Sequence, residues 1–122
     1  MPTAVHVEPV LVEEWQIVSV KMSWYNPSLG GVNCFSFVNG ECVSHMASGE
    51  DWREWIGRAA ACPPSWPFWT RIRLPGGEEF VCLDRGGAIV YGADGLPFID
   101  LLVEYPPVPF GTVIEIGVQF PE

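Results

Sequence analysis

FVCLDRGGAIVYGADGLPFIDLL, residues 80–102, contains two apolar segments that are joined by a glycine-rich connection. Residues 80–83 and 98–103 are short and apolar, a pattern typical of buried β-strands. Each strand carries one carboxylate, Asp84 or Asp100, where only apolar side chains would be expected. A carboxylate in such a strand is costly unless it is hydrogen-bonded or used in chemistry. The two aspartates are therefore the best candidates for a functional site.

The composition predicts one small β-rich domain. The chain has 122 residues, of which 48% are hydrophobic, with 13 Gly and 12 Pro. This length suffices to close a single core, and many turn-forming residues among β-branched and aromatic ones favour a barrel or sandwich of short strands. The net charge of −9 would repel phosphate backbones and anionic membranes. Nucleic acid is therefore not an expected partner.

Targeting and ligand motifs are scarce in the sequence. No segment approaches the roughly twenty apolar residues of a membrane span, so none is expected. No signal peptide is visible at the N-terminus. The sequence has no P-loop and no zinc-ligand spacing, so neither a cofactor nor a metal is expected.

Four cysteines allow two disulfides. Cys34 with Cys42 would close a hairpin-sized loop, and Cys62 with Cys82 would join two neighbouring segments, although three pairings exist. Buried free thiols are the alternative interpretation. Only the disulfides would indicate an oxidising compartment.

Turn residues divide the first half of the chain. Pro9 argues that residues 1–19 form an N-terminal arm or edge strand, which leaves residues 20–122 as the barrel domain. The first core strand is expected over residues 15–24. The Asn39-Gly40 pair predicts a hairpin turn.

One short α-helix is expected to begin near Ser48. Ser48 can cap it, and Glu50 and Asp51 suit the positive end of the helix dipole. Apolar residues then recur at helical spacing and would form one buried face, namely Trp52, Trp55, Ile56, Ala59 and Ala60. We interpret the two tryptophans as core residues rather than as a surface for sugars.

A short internal repeat follows the predicted helix. PFWTRIRL, residues 67–74, matches PFGTVIEI, residues 109–116, at Pro, Phe, Thr and Ile. Each copy is a turn that leads into an alternating strand, so the repeat favours a barrel of two related halves. Two unrelated strand starts remain the alternative.

Six short motifs occur in the order that is seen in a known family. They are SWY (23–25), MASG (46–49), AACP (60–63), PFWTRI (67–72), LDRGGAI (83–89) and IDL (99–101). In this order they resemble the 3D (three-aspartate) domains, which are related to the catalytic barrel of MltA-type lytic transglycosylases, to RlpA-like proteins and more distantly to expansins and family-45 endoglucanases. The resemblance covers about residues 20–117. It implies a six-stranded double-psi β-barrel with one short α-helix and an open groove for a β-1,4-linked glycan.

The resemblance also implies a chemistry and a location. The position of Asp100 is that of the general acid/base of the transglycosylases, which cleave peptidoglycan with a single carboxylic acid. The residues themselves agree with these roles: desolvation between Ile99 and Leu101 is expected to raise the pKa of Asp100. Asp84, beside Arg85 and a glycine pair, would stay ionised more easily and could steady a developing positive charge. Tyr25, Ser48 and Arg85 are expected to line the groove and bind substrate, and an exposed Trp69 could stack on a sugar face. Such a protein is expected to be extracytoplasmic, secreted or virion-associated.

Two departures from the family pattern support an alternative. Cys62 stands where the first of the three aspartates is expected, and Trp69 replaces a customary glycine. The alternative is a non-enzymatic barrel that binds glycans or forms part of a larger assembly, such as a virion or filament. Residues 1–19 and 104–110 would then contact a neighbouring copy in a homo-oligomer. An expansin-like protein that loosens polysaccharide without cleavage would also use Asp100, whereas purely structural aspartates would hydrogen-bond backbone amides.

Overall fold

The computed structural model describes residues 14–29, 37–43, 45–85, 95–105 and 111–121. The predictions for the arm up to residue 13, for Cys34, for the glycine-rich connection over residues 86–94 and for residues 106–110 lie outside the described residues. Within the described ranges, no helix has the length and apolar character needed to cross a membrane.

Six strands form a closed barrel in the order β1-β7-β4-β6-β5-β8, and β2 and β3 form a separate hairpin. The bounds are β1 Gln16–Tyr25, β2 Phe37–Val38, β3 Glu41–Cys42, β4 Ala59–Ala61, β5 Arg71–Arg73, β6 Glu79–Asp84, β7 Phe98–Leu102 and β8 Thr112–Gln119. The β2–β3 turn contains Asn39 and Gly40, both with positive φ. This confirms the predicted hairpin turn and the predicted all-β, six-stranded barrel.

The strand pairings follow a two-fold pattern. β1 pairs with β7 and β4 pairs with β6 in parallel, whereas the other barrel pairs are antiparallel. If β1, β4 and β5 are exchanged for β6, β7 and β8 respectively, every pairing maps onto a pairing of the same sense, and β4–β7 and β5–β8 map onto themselves. The two copies of the sequence repeat lead into β5 and β8, which correspond under this exchange. The topology therefore supports the prediction of two related halves.

Strand alternation fills the barrel interior with apolar side chains, because successive residues of a strand point to opposite faces. The interior cluster includes Val20 and Met22 of β1, Cys82 of β6, and Ile99 and Leu101 of β7, all of them fully buried. The residues between them on each strand point to the outside of the barrel. Asp100, between Ile99 and Leu101, is one of these.

A second group of apolar residues, called the outer cluster here, covers the outside of β1, β7, β4 and β6. Its buried members are Cys42, Met46, Trp52, Ala59, Leu83 and Leu102, with Tyr25, Trp55 and Val81 packed against them. Several of these residues belong to the segment between β2 and β4, which lies against the barrel wall. Tyr25 and Leu83, at or next to strand ends, bring the edge of this cluster to the aspartates.

The predicted α-helix was wrong. A 3-10 turn, Trp52–Glu54, follows Asp51, whose side chain accepts a hydrogen bond from the Arg53 N–H at 3.0 Å. Gly57 then adopts a φ of 81° and donates to the Leu102 carbonyl at 2.8 Å, which turns the chain into β4. Ala59 and Ala60, assigned to the helix, lie in this strand.

The helical spacing misled the prediction because three of its residues do meet in space. Trp52, Trp55 and Ala59 all contact the outer cluster. A short turn followed by a strand brings them there, and the strand pairing of Ala59 with Val81 and Leu102 outweighs local helix propensity.

A disulfide joins Cys62, just after β4, to Cys82 of β6 inside the barrel, with 5.7 Å between the Cα atoms. Cys42 is disulfide-bonded as well, and its proposed partner Cys34 lies outside the described residues. The free-thiol alternative is therefore wrong for these three cysteines. Closing a loop of this size stabilises the fold by about 3 kcal/mol. Such bonds are typical of oxidising compartments.

Candidate functional site

The barrel brings the two predicted catalytic residues to neighbouring positions. Asp84 ends β6 and Asp100 lies in the middle of β7, and both pair with Ala61 of β4, which runs between them. Two strand spacings separate their backbones by about 10 Å. On the far side of β7, Ser23 of β1 pairs with Asp100. These four residues form a row across four strands.

Asp100 is a half-buried carboxyl group without a hydrogen-bond donor among the described residues. Burial raises the pKa of Asp100 to about 6, and the negative charge of Asp84 adds to this rise. Water solvates a carboxylate better than an apolar wall does, so the charged form is disfavoured at this position. Asp100 can therefore hold or release a proton near neutral pH.

Asp84 has the opposite surroundings. Its Oδ1 accepts hydrogen bonds from the backbone N–H groups of Ala47 and Arg85, at 2.9 and 2.8 Å. Its Oδ2 accepts one from the Tyr25 hydroxyl at 2.9 Å. These contacts join the ends of β1 and β6 to the turn that contains Ala47. Asp84 thus has the structural role that the alternative interpretation assigned to both aspartates.

Tyr25, a predicted substrate-binding residue, ends β1 and packs against the outer cluster. Burial raises the pKa of its phenol, and the charges of Asp84 and Asp100 raise it further. The hydroxyl therefore stays protonated and serves as a donor to Asp84. Tyr25 lies within electrostatic range of both carboxyl groups but donates its hydrogen bond to Asp84.

Ser23 was not predicted as a site residue. Its side chain is 1% exposed, and its Oγ has no hydrogen-bond partner among the described residues. Buried hydroxyls normally have a partner, so an unpaired one beside Asp100 is unusual. The alternation of Lys21, Ser23 and Tyr25 with interior residues is the sequence signal that could have placed it on the same face.

Ser48, a predicted substrate-binding residue, stabilises a turn next to Asp84 through its backbone N–H and its hydroxyl. Its N–H donates to the Leu83 carbonyl at 3.0 Å, and its Oγ accepts from the Glu50 N–H at 3.4 Å. This turn places the Ala47 N–H against Asp84. The contribution of Ala47 could not be predicted from residue types, because it is made by a backbone N–H that every residue except proline has.

Arg85 contributes its backbone N–H to Asp84, while its side chain turns away from the row of carboxylates. The guanidinium donates to the carbonyls of Trp66 and Asp84 and lies 4.1 Å from the centre of the Phe68 ring. Arg85 therefore holds the turn before β5 in place. Trp69, in the same turn, is half exposed.

Cys62, which aligns with the first aspartate of the family pattern, is fully buried in its disulfide. It contributes no group to the row that contains Asp84 and Asp100. Two concave regions of about 380 and 580 Å³ open elsewhere on the described surface, next to Trp52 and next to Trp15 respectively, and neither is lined by Asp84 or Asp100. In the described part of the chain, no group of three or more His, Cys, Asp or Glu side chains could hold a metal ion.

Comparisons of this chain with protein-family models, with curated proteins and with solved structures give no match. The fold and the site define it as a closed six-stranded mixed β-barrel with two unlike carboxyl groups flanking one strand. Any functional conclusion therefore depends on the geometry of this site and on the motif resemblance described above.

Proposed function

We propose that this protein cleaves a β-1,4-linked glycan, with peptidoglycan as the substrate, by the single-carboxylate chemistry of lytic transglycosylases. The observation that carries the proposal is the contrast between Asp100, whose pKa is about 6 and which has no donor among the described residues, and the fully hydrogen-bonded Asp84. A general acid works best when its pKa lies near the working pH.

In the first step, protonated Asp100 donates its proton to the glycosidic oxygen. The bond between that oxygen and the sugar C1 breaks, and positive charge develops on the ring. The negative charge of Asp84, held in place by three hydrogen bonds, lies on the other side of Ala61 and stabilises this charge. The Tyr25 hydroxyl and the Ala47 N–H hold the Asp84 carboxylate in position.

In the second step, Asp100 is a carboxylate and acts as the base. It accepts the proton of the muramoyl 6-hydroxyl while the oxygen of that hydroxyl bonds to C1 and closes an anhydro ring. The proton that left Asp100 is thereby restored, and no water is consumed. One carboxyl group with a pKa near 6 can serve both steps.

The disulfide supports the proposed location. Cys62 and Cys82 form a bond that persists in oxidising surroundings, where a cell-wall enzyme would act. We therefore propose an extracytoplasmic protein, either secreted or virion-associated.

A second candidate is a barrel of the same fold that binds glycan or builds a larger assembly without cleavage. The observation that favours it is Cys62, because a buried disulfide occupies the position at which the family pattern has its first aspartate. In this case Asp84 would be structural and Asp100 would contact the ligand or a neighbouring copy.

The test is digestion of purified peptidoglycan at pH 5.5, with mass spectrometry of the soluble products. The parent protein is compared with Asp100→Asn and with Glu115→Gln, a control that removes an exposed carboxylate from β8. The expected result is release of anhydro-muropeptides by the parent and the control, and a loss of about 100-fold or more in Asp100→Asn.

The other outcomes separate the alternatives. Products with reducing ends would show that the protein is a hydrolase rather than a transglycosylase. No products from a folded parent, together with sedimentation on the glycan, would favour the binding barrel. Full activity of Asp100→Asn would remove Asp100 from the mechanism.

A further inference from the structure

Trp69 occupies a backbone conformation that suits glycine. Its φ is 75°, in the left-handed region that bulky side chains rarely adopt. The conformation is held because the Trp69 N–H donates to the Cys82 carbonyl at 2.9 Å, and the Thr70 carbonyl accepts from the Cys82 N–H at 2.8 Å. The turn before β5 therefore imposes strain on whichever side chain stands at position 69.

The other half of the barrel shows what this turn requires. Gly111 occupies the matching place in the second copy of the repeat, before β8, and has a φ of 77°. Positions 69 and 111 thus share a left-handed φ, with tryptophan at the first and glycine at the second. Folding alone would be served better by glycine at both places.

Packing does not explain the tryptophan either. Its side chain is 50% exposed and belongs to neither the interior nor the outer cluster. Its aromatic contact within the described residues is an edge-on one with Trp55, at 5.8 Å between ring centres. A large ring that is strained and half exposed gains little from folding, which points to a ligand.

The distance between Trp69 and the carboxylates determines how long such a ligand must be to contact both. Trp69 contacts β6 at Cys82, two residues before Asp84, and Asp100 lies two strands beyond β6. Three strand spacings, together with the two-residue offset along β6, give roughly 15 Å between the backbones of Trp69 and Asp100 along the barrel wall. This is the length of a short oligosaccharide rather than of a single sugar.

Trp55, interpreted from the sequence as a core residue, is only half-buried, so it enlarges the exposed aromatic surface and is itself held in place. The Arg58 guanidinium lies 4.5 Å from the centre of the Trp55 ring, and Trp55 packs against the outer cluster. Two indole rings at 71° to each other form an angled apolar surface. The apolar face of a pyranose ring fits such a surface, and a neutral sugar is not repelled by a protein of net charge −9.

We infer that Trp69 and Trp55 form an aromatic platform that binds a sugar ring of the glycan chain at a distance from the bond that Asp100 cleaves. The inference rests on the proposed function, because it takes the same polysaccharide as the ligand. The platform holds the chain against the barrel wall while the acid acts on a bond nearer to Asp100.

The experiment is co-sedimentation with insoluble peptidoglycan in the non-cleaving Asp100→Asn background. Trp69→Gly removes the ring and relieves the strain, whereas Trp69→Tyr retains an aromatic ring. We expect Trp69→Gly to weaken binding roughly tenfold and Trp69→Tyr to retain most of it. The Tm of Trp69→Gly should equal or exceed that of its background, since glycine suits the turn.

The outcomes distinguish this inference from the proposed function. Unchanged binding by Trp69→Gly overturns the platform, while cleavage by the parent would still support the proposed function. A marked fall in Tm would also overturn it, because Trp69 would then be a packing residue. No binding by any variant and no cleavage by the parent would overturn both.

Discussion

Asp84 and Asp100 pair with the same residue, Ala61, from its two sides, yet their surroundings are opposite. Asp84 accepts three hydrogen bonds, whereas Asp100 accepts none from the described residues and has its pKa raised to about 6, chiefly by burial. The hydrogen bonds of Asp84 stabilise the fold, whereas the desolvated charge of Asp100 lowers its stability. A residue that costs stability is better explained by function than by folding.

The largest effect is expected when each of the two side chains is truncated to alanine. Asp84→Ala should lower the free energy of unfolding by about 3 kcal/mol, because it leaves the Tyr25 hydroxyl and two backbone N–H groups without an acceptor. Asp100→Ala should leave it unchanged or raise it by up to about 1 kcal/mol, since no hydrogen bond is lost and a desolvated carboxylate is removed. Urea denaturation at pH 7 measures both. Equal losses would mean that Asp100 is structural as well.

The next test uses pH. The folded-state pKa of Asp100 lies near 6, above its ordinary value of 3.8, so the folded protein binds an extra proton between these values. Stability from this group is fully present below pH 3.8 and is lost as the pH rises through 6. The rise corresponds to about 3 kcal/mol at most, and partial exposure reduces this to about 1–2 kcal/mol.

Asp100→Asn should therefore be more stable than the parent at pH 7.5, and the difference should vanish near pH 4. Urea denaturation of both proteins across this range gives the difference, in which the titration of groups that do not interact with Asp100 cancels. A pH-independent difference, or a parent that is the more stable protein at pH 7.5, would contradict the raised pKa.

The smallest effects concern one hydroxyl beside each aspartate. Tyr25→Phe removes the donor to Asp84 and should cost about 1 kcal/mol, the usual value of one hydrogen bond. Ser23→Ala removes an unpaired buried hydroxyl beside Asp100 and should change stability by less than about 0.5 kcal/mol. Thermal unfolding of the two variants gives the comparison. If Ser23→Ala lowers stability as much as Tyr25→Phe does, then the Ser23 hydroxyl has a hydrogen-bond partner and the surroundings of the two aspartates are more alike than the contacts indicate.

Local sequence patterns predicted much of the fold. Apolar runs placed strands over residues 80–83 and 98–103, and these correspond to β6 and β7. The Asn39-Gly40 pair was also a local signal that the structure bears out, and each copy of the Pro-Phe-Xaa-Thr repeat precedes a barrel strand. Such features are predictable because neighbours in the chain determine backbone conformation.

Contacts between distant segments were not predictable in the same way. Tyr25 and Ala47 lie 59 and 37 positions before Asp84. No pattern in either segment indicates that they meet one carboxylate. The helix predicted after Ser48 failed for a related reason, since Ala59 pairs with Val81 and Leu102. Strand pairing across the barrel decided the conformation there.

The sequence alone determined that the chain is β-rich and that two carboxylates interrupt its apolar strands, because strand periodicity and turn chemistry are local properties. The closed six-stranded barrel was expected only from the motif resemblance. Only the tertiary structure decided that Asp84 accepts three hydrogen bonds and that Asp100 accepts none from the described residues. The register places Ala61 between Asp84 and Asp100 and brings Tyr25 and Ala47 to Asp84 alone. Burial and hydrogen bonding, which separate a structural carboxylate from an acid with a pKa near 6, depend on that register.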